Sequence, residues 1–183
     1  MALTITDICA LFDSHGGRMY SGEPVTQLEH ALQTAWLAER AGASDALVAA
    51  SLLHDVGHMV NDRGETPTEQ GVDDLHQYHA LAALRGAFSD EVLEPIRWHV
   101  DAKRYLCRER PAYYASLSPD SKRSLALQGG VFSAEEAHDF SARRWAADAV
   151  KLRLWDDLAK TAGERTPDWG HFEAILERVV SSS

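Results

Sequence analysis

The sequence predicts a compact all-α helical bundle, and three observations support this prediction. Strands of alternating apolar and polar residues are almost absent from the 183 residues. Apolar residues recur instead at helical spacing along most of the chain. Segments rich in Gly, Pro and other turn-forming residues separate these stretches, while no repeat or shift in composition divides the chain. We therefore expect a single domain over residues 1–183, long enough to bury a sizeable core.

The predicted helices follow one another with short polar connections. The first begins after Thr4, where Ile5 and Ile8 start an apolar face. Further helices are predicted at 25–42, 44–60, 75–87, 89–108, 118–126, 133–160 and 168–180. A Gly-rich loop at 15–24 and a polar loop at 61–74 interrupt the series.

Composition and charge exclude several classes of function. The formal net charge of −10 and the pI near 5.3 argue against nucleic acid as a partner, because phosphate binding requires a basic face. A small anionic substrate remains compatible with this charge, since a local pocket can be positive on an acidic protein. No apolar run approaches the roughly 18 residues of a membrane span. Cys9 and Cys107 form no spaced pair and the N-terminus lacks the pattern of a signal peptide, so we expect a cytoplasmic location.

Residues 51–58, with the sequence SLLHDVGH, place three metal-binding side chains in a segment that otherwise reads as core. His54 and His58 are one helical turn apart and are predicted to share a face. Asp55 lies about 100° further round the same turn. Burying an unpaired charge there costs on the order of several kcal/mol. The partners of these side chains must therefore be other side chains or metal ions.

Other predicted helices carry further metal-binding side chains, which a bundle can direct toward one internal site. The candidate ligands are His30, His54, Asp55, His76, His99 and Asp156. A single histidine of this kind is more often a satisfied core or surface residue, but the ordered set favours metal binding. Imidazoles and carboxylates suit iron, manganese or zinc, and a bridging carboxylate can hold two ions. His79 is the alternative to His76.

The order and context of these residues resemble the HD superfamily of metal-dependent enzymes, which is named after its His-Asp pair. The resemblance implies that a first metal is held by four side chains, namely His30, His54, Asp55 and Asp156. It implies a second metal on His76 and His99, with Asp55 as the bridge. We prefer His76 over His79 because HQYHALAALRG resembles the ligand-bearing helix of that family, although Ala80 replaces its frequent glycine.

A narrower resemblance covers most of the chain. The segments that carry it are MYSGEPVTQLEHALQTA, LLHDVGH, WHVDAKRYL, LSPDSKRSLALQGG and LRLWDDLAK. They are similar to the phosphonate-cleaving diiron oxygenases of the same superfamily. Those enzymes use a mixed-valent Fe(II)/Fe(III) pair and O2 to break the C–P bond of a 1-hydroxyphosphonate, which gives phosphate and a carboxylate. The resemblance therefore implies two iron ions as cofactors and O2 as co-substrate.

Cationic side chains near the predicted ligands fit an anionic substrate. Lys103 lies four residues after His99, and Arg153 lies three residues before Asp156, so each cation shares a helix face with a ligand. Together with His58, they are predicted to surround a phosphonate through charge-assisted hydrogen bonds.

Three other polar residues have weaker predicted roles. Ser121 and Ser124 lie near a helix N-terminus, where anions are favoured, and are predicted to donate hydroxyl hydrogen bonds to the substrate. Lys160 lies four residues after the last ligand and is predicted to orient it.

The loop at 15–24 is predicted to act as a lid. The resemblance implies that Tyr20 is a temporary metal ligand before substrate arrives and that Glu23 contacts the cationic end of the substrate. Both 2-amino-1-hydroxyethylphosphonate and its 2-trimethylammonio analogue fit this expectation, with a slight preference for the second. A trimethylammonium group also favours aromatic faces. The aromatic candidates are Tyr20, Tyr78, Tyr105, Trp98 and Trp155.

Three alternatives use the same ligands differently. A metal-dependent phosphohydrolase of nucleotides or phosphomonoesters would activate water and ignore O2. An oxygenase acting on an inositol-like substrate would need no phosphonate cradle. A degenerate sensory or interaction module would have lost ligands, whereas all six are present. The sequence does not fix the oligomeric state.

Overall fold

Helices, with isolated β-bridges between loops, form the regular structure of residues 2–20, 22–61 and 67–181, which the computed structural model describes. The α-helices are α1 (Ile5–His15), α2 (Gln27–Arg40), α3 (Asp45–Leu53), α4 (Val56–Val60), α5 (His76–Leu84), α6 (Asp90–Glu109), α7 (Pro111–Ser116), α8 (Pro119–Leu127), α9 (Ala134–Ser141), α10 (Ala146–Leu158) and α11 (Trp169–Val179). A short 3-10 helix spans Pro67–Gln70. The predicted all-α fold class is confirmed.

Helix α3 lies at the centre of the bundle. It packs against α2, α6, α10 and α11, and every residue from 46 to 53 is buried. A helix that is apolar on all sides needs neighbours on all sides, which explains this central position. Ser44 caps its N-terminus by accepting a hydrogen bond from the backbone of Leu47, as the sequence predicts. The centre of the core is therefore the helix that leads directly into His54 and Asp55.

The predicted helix at 44–60 is wrong in one respect, because it breaks at His54 and Asp55 into α3 and α4. Helix α3 packs against α2 and α6, whereas α4 packs against α5. Gly57 makes the second packing contact possible: a Cβ at this position would lie 1.9 Å from the carbonyl oxygen of His76. The break at the His-Asp pair thus separates the helix that fills the core from the helix that packs against α5.

The predicted helix at 133–160 is also wrong, because residues 142–145 separate α9 from α10. Phe140 and Ala146 lie on either side of the break and pack into the same apolar cluster. In a continuous helix, six residues turn the chain by about 240° beyond one full turn, so the two side chains would point apart. Helix α7 was not predicted, although Pro111 at its first position is a typical helix start.

The predicted loops lie where expected, with small shifts at their ends. Helix α1 extends through His15, and Thr26 forms a capping box with Glu29 at the start of α2. Ser21 in the first loop and residues 62–66 in the second lie outside the described residues. Across the described ranges, no helix combines the length and the apolar character that a membrane span requires.

Candidate metal centre

Six buried His and Asp side chains meet at the centre of the bundle, brought there by five different parts of the fold. His30 comes from α2, His99 from α6 and Asp156 from α10. His76 is the first residue of α5, while His54 and Asp55 occupy the break after α3. They are the six ligands predicted from the sequence. His79 is not among them and lies partly exposed on α5.

The six side chains form two adjoining groups. In the first, Nε2 of His30 lies 3.3 Å from Nε2 of His54 and 3.4 Å from Oδ1 of Asp156. In the second, Nε2 of His76 lies 3.0 Å from Nε2 of His99. The ligand atoms within each group, with Asp55 counted in the second, lie within 4.8 Å of one another.

Asp55 faces both groups with different oxygens. Its Oδ2 lies 3.5 Å from Nε2 of His30 and 3.3 Å from Nε2 of His54. Its Oδ1 lies 3.4 Å from Nε2 of His76 and 3.7 Å from Nε2 of His99. A carboxylate with one oxygen toward each group has the arrangement that a bridging ligand needs.

The protein fixes the orientation of the imidazole rings from behind. Three of the rings direct Nδ1 at a backbone carbonyl, which can only accept a hydrogen bond. The carbonyls are those of Ala159, Ser51 and Ile96, at 2.8, 2.9 and 2.6 Å from Nδ1 of His30, His54 and His99. Nδ1 of each ring therefore carries the proton, and the lone pair of Nε2 points into the centre. This is the arrangement found behind metal-ligating histidines.

These residues fit two cations. The Nε2 atoms of His30 and His54 face each other at 3.3 Å, and those of His76 and His99 at 3.0 Å. Two lone pairs repel at such a distance unless a positive ion lies between or beside them. Within the described ranges, Oδ2 of Asp55 and Oδ1 of Asp156 are buried and accept no hydrogen bond. An unsatisfied buried carboxylate oxygen is costly, whereas a metal ion satisfies it.

The local electrostatics keep Asp55 and His99 in the forms that bind metals. Burial raises the pKa of Asp55, but the neighbouring His54 and His58 outweigh this effect and hold the pKa well below its usual range. Burial, together with His76 and His54, lowers the pKa of His99 well below its usual value. Asp55 is therefore an anion and His99 a neutral imidazole, and both are competent ligands.

A cavity of about 50 Å³ opens beside the second group. Its lining includes all seven side chains predicted to contact substrate, which are Tyr20, Glu23, His58, Lys103, Ser121, Ser124 and Arg153. It also includes Asp55, His76, His99 and Asp156, so a ligand in the cavity would lie against the metal centre. Thr68, Val72, Asp73 and Asp74, from the segment before α5, also line the cavity.

Lys103 is a buried cation that lines this cavity. It is 2% exposed, and its Nζ donates a hydrogen bond to Oγ of Ser124 at 2.7 Å. Burial and the neighbouring Arg153 lower the pKa of Lys103 to about 7. Ser121 is buried at the first turn of α8, and its carbonyl accepts a hydrogen bond from Ser124 at 3.1 Å.

Arg153 is more strongly paired than the sequence suggested. Its Nη1 lies 2.8 Å from Oδ2 of Asp156, and its other nitrogens bind Asp157 and the hydroxyl of Tyr113. Asp157 and Tyr113 had not been identified as part of the site. In the sequence, Asp157 is part of an Asp-Asp pair and Tyr113 lies between two predicted helices. Both patterns are typical of exposed residues. Arg153 thus holds the ligand Asp156 in place while facing the cavity.

The lid residues lie directly over the centre. The ring of Tyr20 stacks on the ring of His30 with 4.0 Å between centroids. Glu23 pairs with Lys160, with 3.3 Å between Oε1 and Nζ. We expected Lys160 to orient Asp156, whereas its ion pair is with Glu23. Burial raises the pKa of the Asp156 carboxyl, but the neighbouring cationic groups lower it on balance. Lys160 contributes to this lowering, with a smaller effect than Arg153, His54 and His30.

The fold and the centre define a class of helical domain whose core holds two adjoining groups of His and Asp side chains that could bind metal ions. A model of the HD domain family matches residues 28–170, so the chain belongs to the HD domain family. The family membership predicted from the order and context of the six residues is confirmed.

Named relatives share nearly the whole chain. The chain is 37% identical over 173 residues to the [1-hydroxy-2-(trimethylamino)ethyl]phosphonate dioxygenase (glycine-betaine-forming) of Leisingera caerulea, covering 94% of this chain and 88% of that protein. It is 38% identical over 180 residues to the hydroxymethylphosphonate dioxygenase of Gimesia maris, covering 98% and 89%. It is 30% identical to an uncharacterized protein of Acanthamoeba polyphaga mimivirus, covering 98% and 83%. Both relatives with a named activity are oxygenases of phosphonates.

Proposed function

We propose that the protein is a non-heme diiron oxygenase that uses O2 to cleave the C–P bond of a small 1-hydroxyphosphonate. The observation that carries this proposal is a pair of cation sites sharing Asp55 beside a small cavity that contains the buried Lys103. The reaction would insert both oxygen atoms of O2, so that C1 becomes a carboxylate and phosphorus leaves as inorganic phosphate. The names of the two phosphonate dioxygenases support this class of reaction.

The six converging side chains would hold the iron ions. His30, His54 and Asp156 would bind one ion, and His76 and His99 the other, with Asp55 between them. A mixed-valent Fe(II)/Fe(III) pair, when bound, would supply the activation of O2 and the removal of hydrogen from C1. The protein contributes the ligand set, the orientation of the substrate and the surrounding charge.

The cavity offers the groups that a phosphonate requires. Lys103 and His58 would donate charge-assisted hydrogen bonds to the phosphonate oxygens, with Arg153 adding positive charge. Ser124 already accepts from Lys103 and would hold that ammonium toward the substrate. Ser121 at the first turn of α8 would add a donor where a helix N-terminus favours anions.

The loop over the centre would exclude water and place the reacting carbon. Tyr20 covers His30 from the cavity side, so a bound substrate would have to displace its ring. Glu23 would contact the cationic end of the substrate, in exchange with Lys160. A closed lid strengthens the hydrogen bonds beneath it because it lowers the local dielectric constant.

The residues that line the cavity favour some candidate substrates over others, according to the group that the substrate carries beyond C1. Of the five Tyr and Trp side chains considered from the sequence, Tyr20 is the one that lines it within the described residues. A trimethylammonium group favours several aromatic faces, whereas a primary ammonium needs a carboxylate such as Glu23. This weighs toward the 2-amino substrate over the 2-trimethylammonio one, against the slight preference drawn from the sequence. A relative that acts on hydroxymethylphosphonate adds a third candidate with no cationic end.

Phosphate release by iron-loaded protein tests the proposal. Hydroxymethylphosphonate and the two 2-substituted 1-hydroxyphosphonates are supplied with and without O2, with a phosphate monoester as the fourth substrate. We expect phosphate from at least one phosphonate in the presence of O2 and none in its absence. Anaerobic release from the ester, without oxygen-dependent cleavage of any phosphonate, would overturn the proposal in favour of the metal-dependent phosphohydrolase.

A further inference from the structure

Asp74 connects a predicted metal ligand to a predicted substrate contact. It is 9% exposed and lies two residues before α5. Its Oδ1 is 2.9 Å from Nδ1 of His76 and accepts a hydrogen bond from the backbone N–H of the same residue. Its Oδ2 pairs with Nδ1 of His58. Asp74 was not selected from the sequence, because it falls in a polar stretch of turn-forming residues.

The chemistry of a carboxylate determines what these contacts impose on the two rings. An ionised carboxylate only accepts hydrogen bonds, so both Nδ1 atoms must carry protons. Nε2 of His76 is then left with its lone pair toward the centre, as a ligand requires. Nε2 of His58 is directed at Oδ1 of Asp55, 3.7 Å away, on the cavity side.

The two rings are also held against each other. Their centroids are 4.2 Å apart and their planes differ by 24°, so the rings stack on the same side of Asp74. His58, Asp74 and His76 lie close enough to hold a cation of their own. The hydrogen bonds to Asp74 argue against that use, because they occupy the Nδ1 atoms that such a cation would need.

We propose that Asp74 is a positioning residue that acts on both partners of the second site. It fixes His76 as a ligand of the second metal and fixes His58 as a donor to the substrate. The His58 half of this inference rests on the proposed function, whereas the His76 half concerns metal binding alone.

Asp74→Asn tests the ligand half. An asparagine offers one acceptor oxygen and one amide donor, so only one ring can keep its Nδ1–H hydrogen bond. We expect bound iron to fall from about two ions per chain toward one, with a loss of about 10- to 100-fold in the affinity of the weaker site. The measurements are iron content and a Co(II) titration followed by visible absorption, neither of which needs a phosphonate.

Asp73→Asn is the matched control. The carboxylate of Asp73 also lines the cavity, but its hydrogen bond is with the backbone N–H of Leu75, which asparagine can still satisfy. This variant should keep both irons. Asp74→Ser removes both imidazole contacts without adding bulk and should reproduce the iron loss. The urea midpoint of each metal-free variant shows whether the fold is intact.

A double substitution tests the His58 half. Asp74→Ser, assayed with excess Fe(II) so that both metal sites are filled, should raise KM in an otherwise unchanged protein, yet leave KM unchanged when His58→Gln is already present. The iron loss should persist in both backgrounds. Retention of both irons at wild-type affinity, or loss of both together with a lowered urea midpoint, would overturn the proposal. A protein that binds two irons but cleaves no phosphonate would refute the proposed function and leave the role of Asp74 at His76 standing.

Discussion

Asp55 is the residue on which the two groups of ligands meet. Its oxygens lie 3.3 to 3.7 Å from the Nε2 atoms of the four histidines of the two groups, and one of these oxygens is buried without a hydrogen bond among the described residues. Asp156, the other carboxylate of the centre, pairs with His30 and His54 of the first group. The pairing therefore depends on a single carboxylate placed in the break between α3 and α4.

Asp55→Ala should lose most of the bound metal. The substitution removes the shared ligand and leaves four imidazoles without their counter-charge, so both sites weaken together. Iron content after dialysis measures the effect. Asp101→Ala, on the neighbouring helix α6 but away from the centre, is the control and should keep its iron. Full metal occupancy in Asp55→Ala would show that this carboxylate is not the bridge.

Gly57 is required where α4 meets the start of α5. An added Cβ would lie 1.9 Å from the carbonyl oxygen of His76, and that atom belongs to the backbone and cannot move aside cheaply. Gly57→Ala should lower the free energy of unfolding by about 2–3 kcal/mol. It should also weaken iron binding at His76. Urea unfolding measures the first effect, and Gly17→Ala, where a Cβ meets nothing within 4 Å, should be near neutral.

At the scale of the elements, helix α6 presents a ligand and a cation on one face. His99 and Lys103 are one turn apart, and both are buried, at 1% and 2% exposure. Lys103→Ala should raise KM for the phosphonate by about 10- to 100-fold, because a charged hydrogen bond is lost. Iron content should stay unchanged. Lys151 is an exposed lysine on α10, and Lys151→Ala is the control. An unchanged KM in Lys103→Ala would show that Lys103 does not contact the substrate.

The pH dependence of the same residue provides a separate prediction. Burial lowers the pKa of Lys103 to about 7, so the ammonium that binds the substrate loses its proton as pH rises above that value. kcat/KM should therefore decline above pH 7 in the wild-type protein. An arginine at this position keeps its charge, so in Lys103→Arg kcat/KM should decline less above pH 7. The ionisation of the substrate is the same for both proteins and does not cause a difference between them. Identical profiles would contradict the prediction.

The lid loop carries a prediction about substrate choice. Glu23 is paired with Lys160, and its negative charge is the group that a cationic substituent of the substrate would bind. Glu23→Gln should reduce kcat/KM for the 2-amino substrate more than for hydroxymethylphosphonate, which has no cation. The ratio of the two values is the measurement, and an unchanged ratio would remove Glu23 from substrate recognition.

Periodicity predicted the helices but not their breaks. Helix α3 is apolar on every side, so its pattern contains no signal for its end at Leu53. Residues 142–145 contain no Gly or Pro, and the break there follows from packing Phe140 and Ala146 into one cluster. Both breaks depend on neighbours distant in sequence, which a local pattern does not contain.

The candidate ligands were predictable from sequence because imidazoles in apolar segments stand out, whereas their supports were not. Asp74 and Asp157 are each the second member of an Asp-Asp pair, a pattern typical of solvated surface. Their contacts with His76 and Arg153 are local, two and four residues apart. Their contacts with His58 and Tyr113 join separate parts of the fold, so the full role of each carboxylate depends on tertiary packing that a local pattern does not contain.

At the scale of the whole molecule, the centre joins helices that are remote in sequence. Its ligands extend from His30 to Asp156 and come from α2, the end of α3, α5, α6 and α10. Unfolding separates all of them, so metal ions bound to the native state stabilise the entire fold. At a free metal concentration 100 times Kd, one site contributes about 2.7 kcal/mol.

Removal of iron should therefore lower the stability of the whole chain. We expect the urea midpoint to fall when a chelator is added to iron-loaded protein and to recover when Fe(II) is restored. The Asp55→Ala variant should show the same midpoint with and without chelator, since it has little metal to lose. Because the ligands come from helices throughout the fold, far-UV circular dichroism and tryptophan fluorescence should report one shared transition. A midpoint insensitive to chelator in the wild-type protein would mean that the six side chains do not hold metal in the native state.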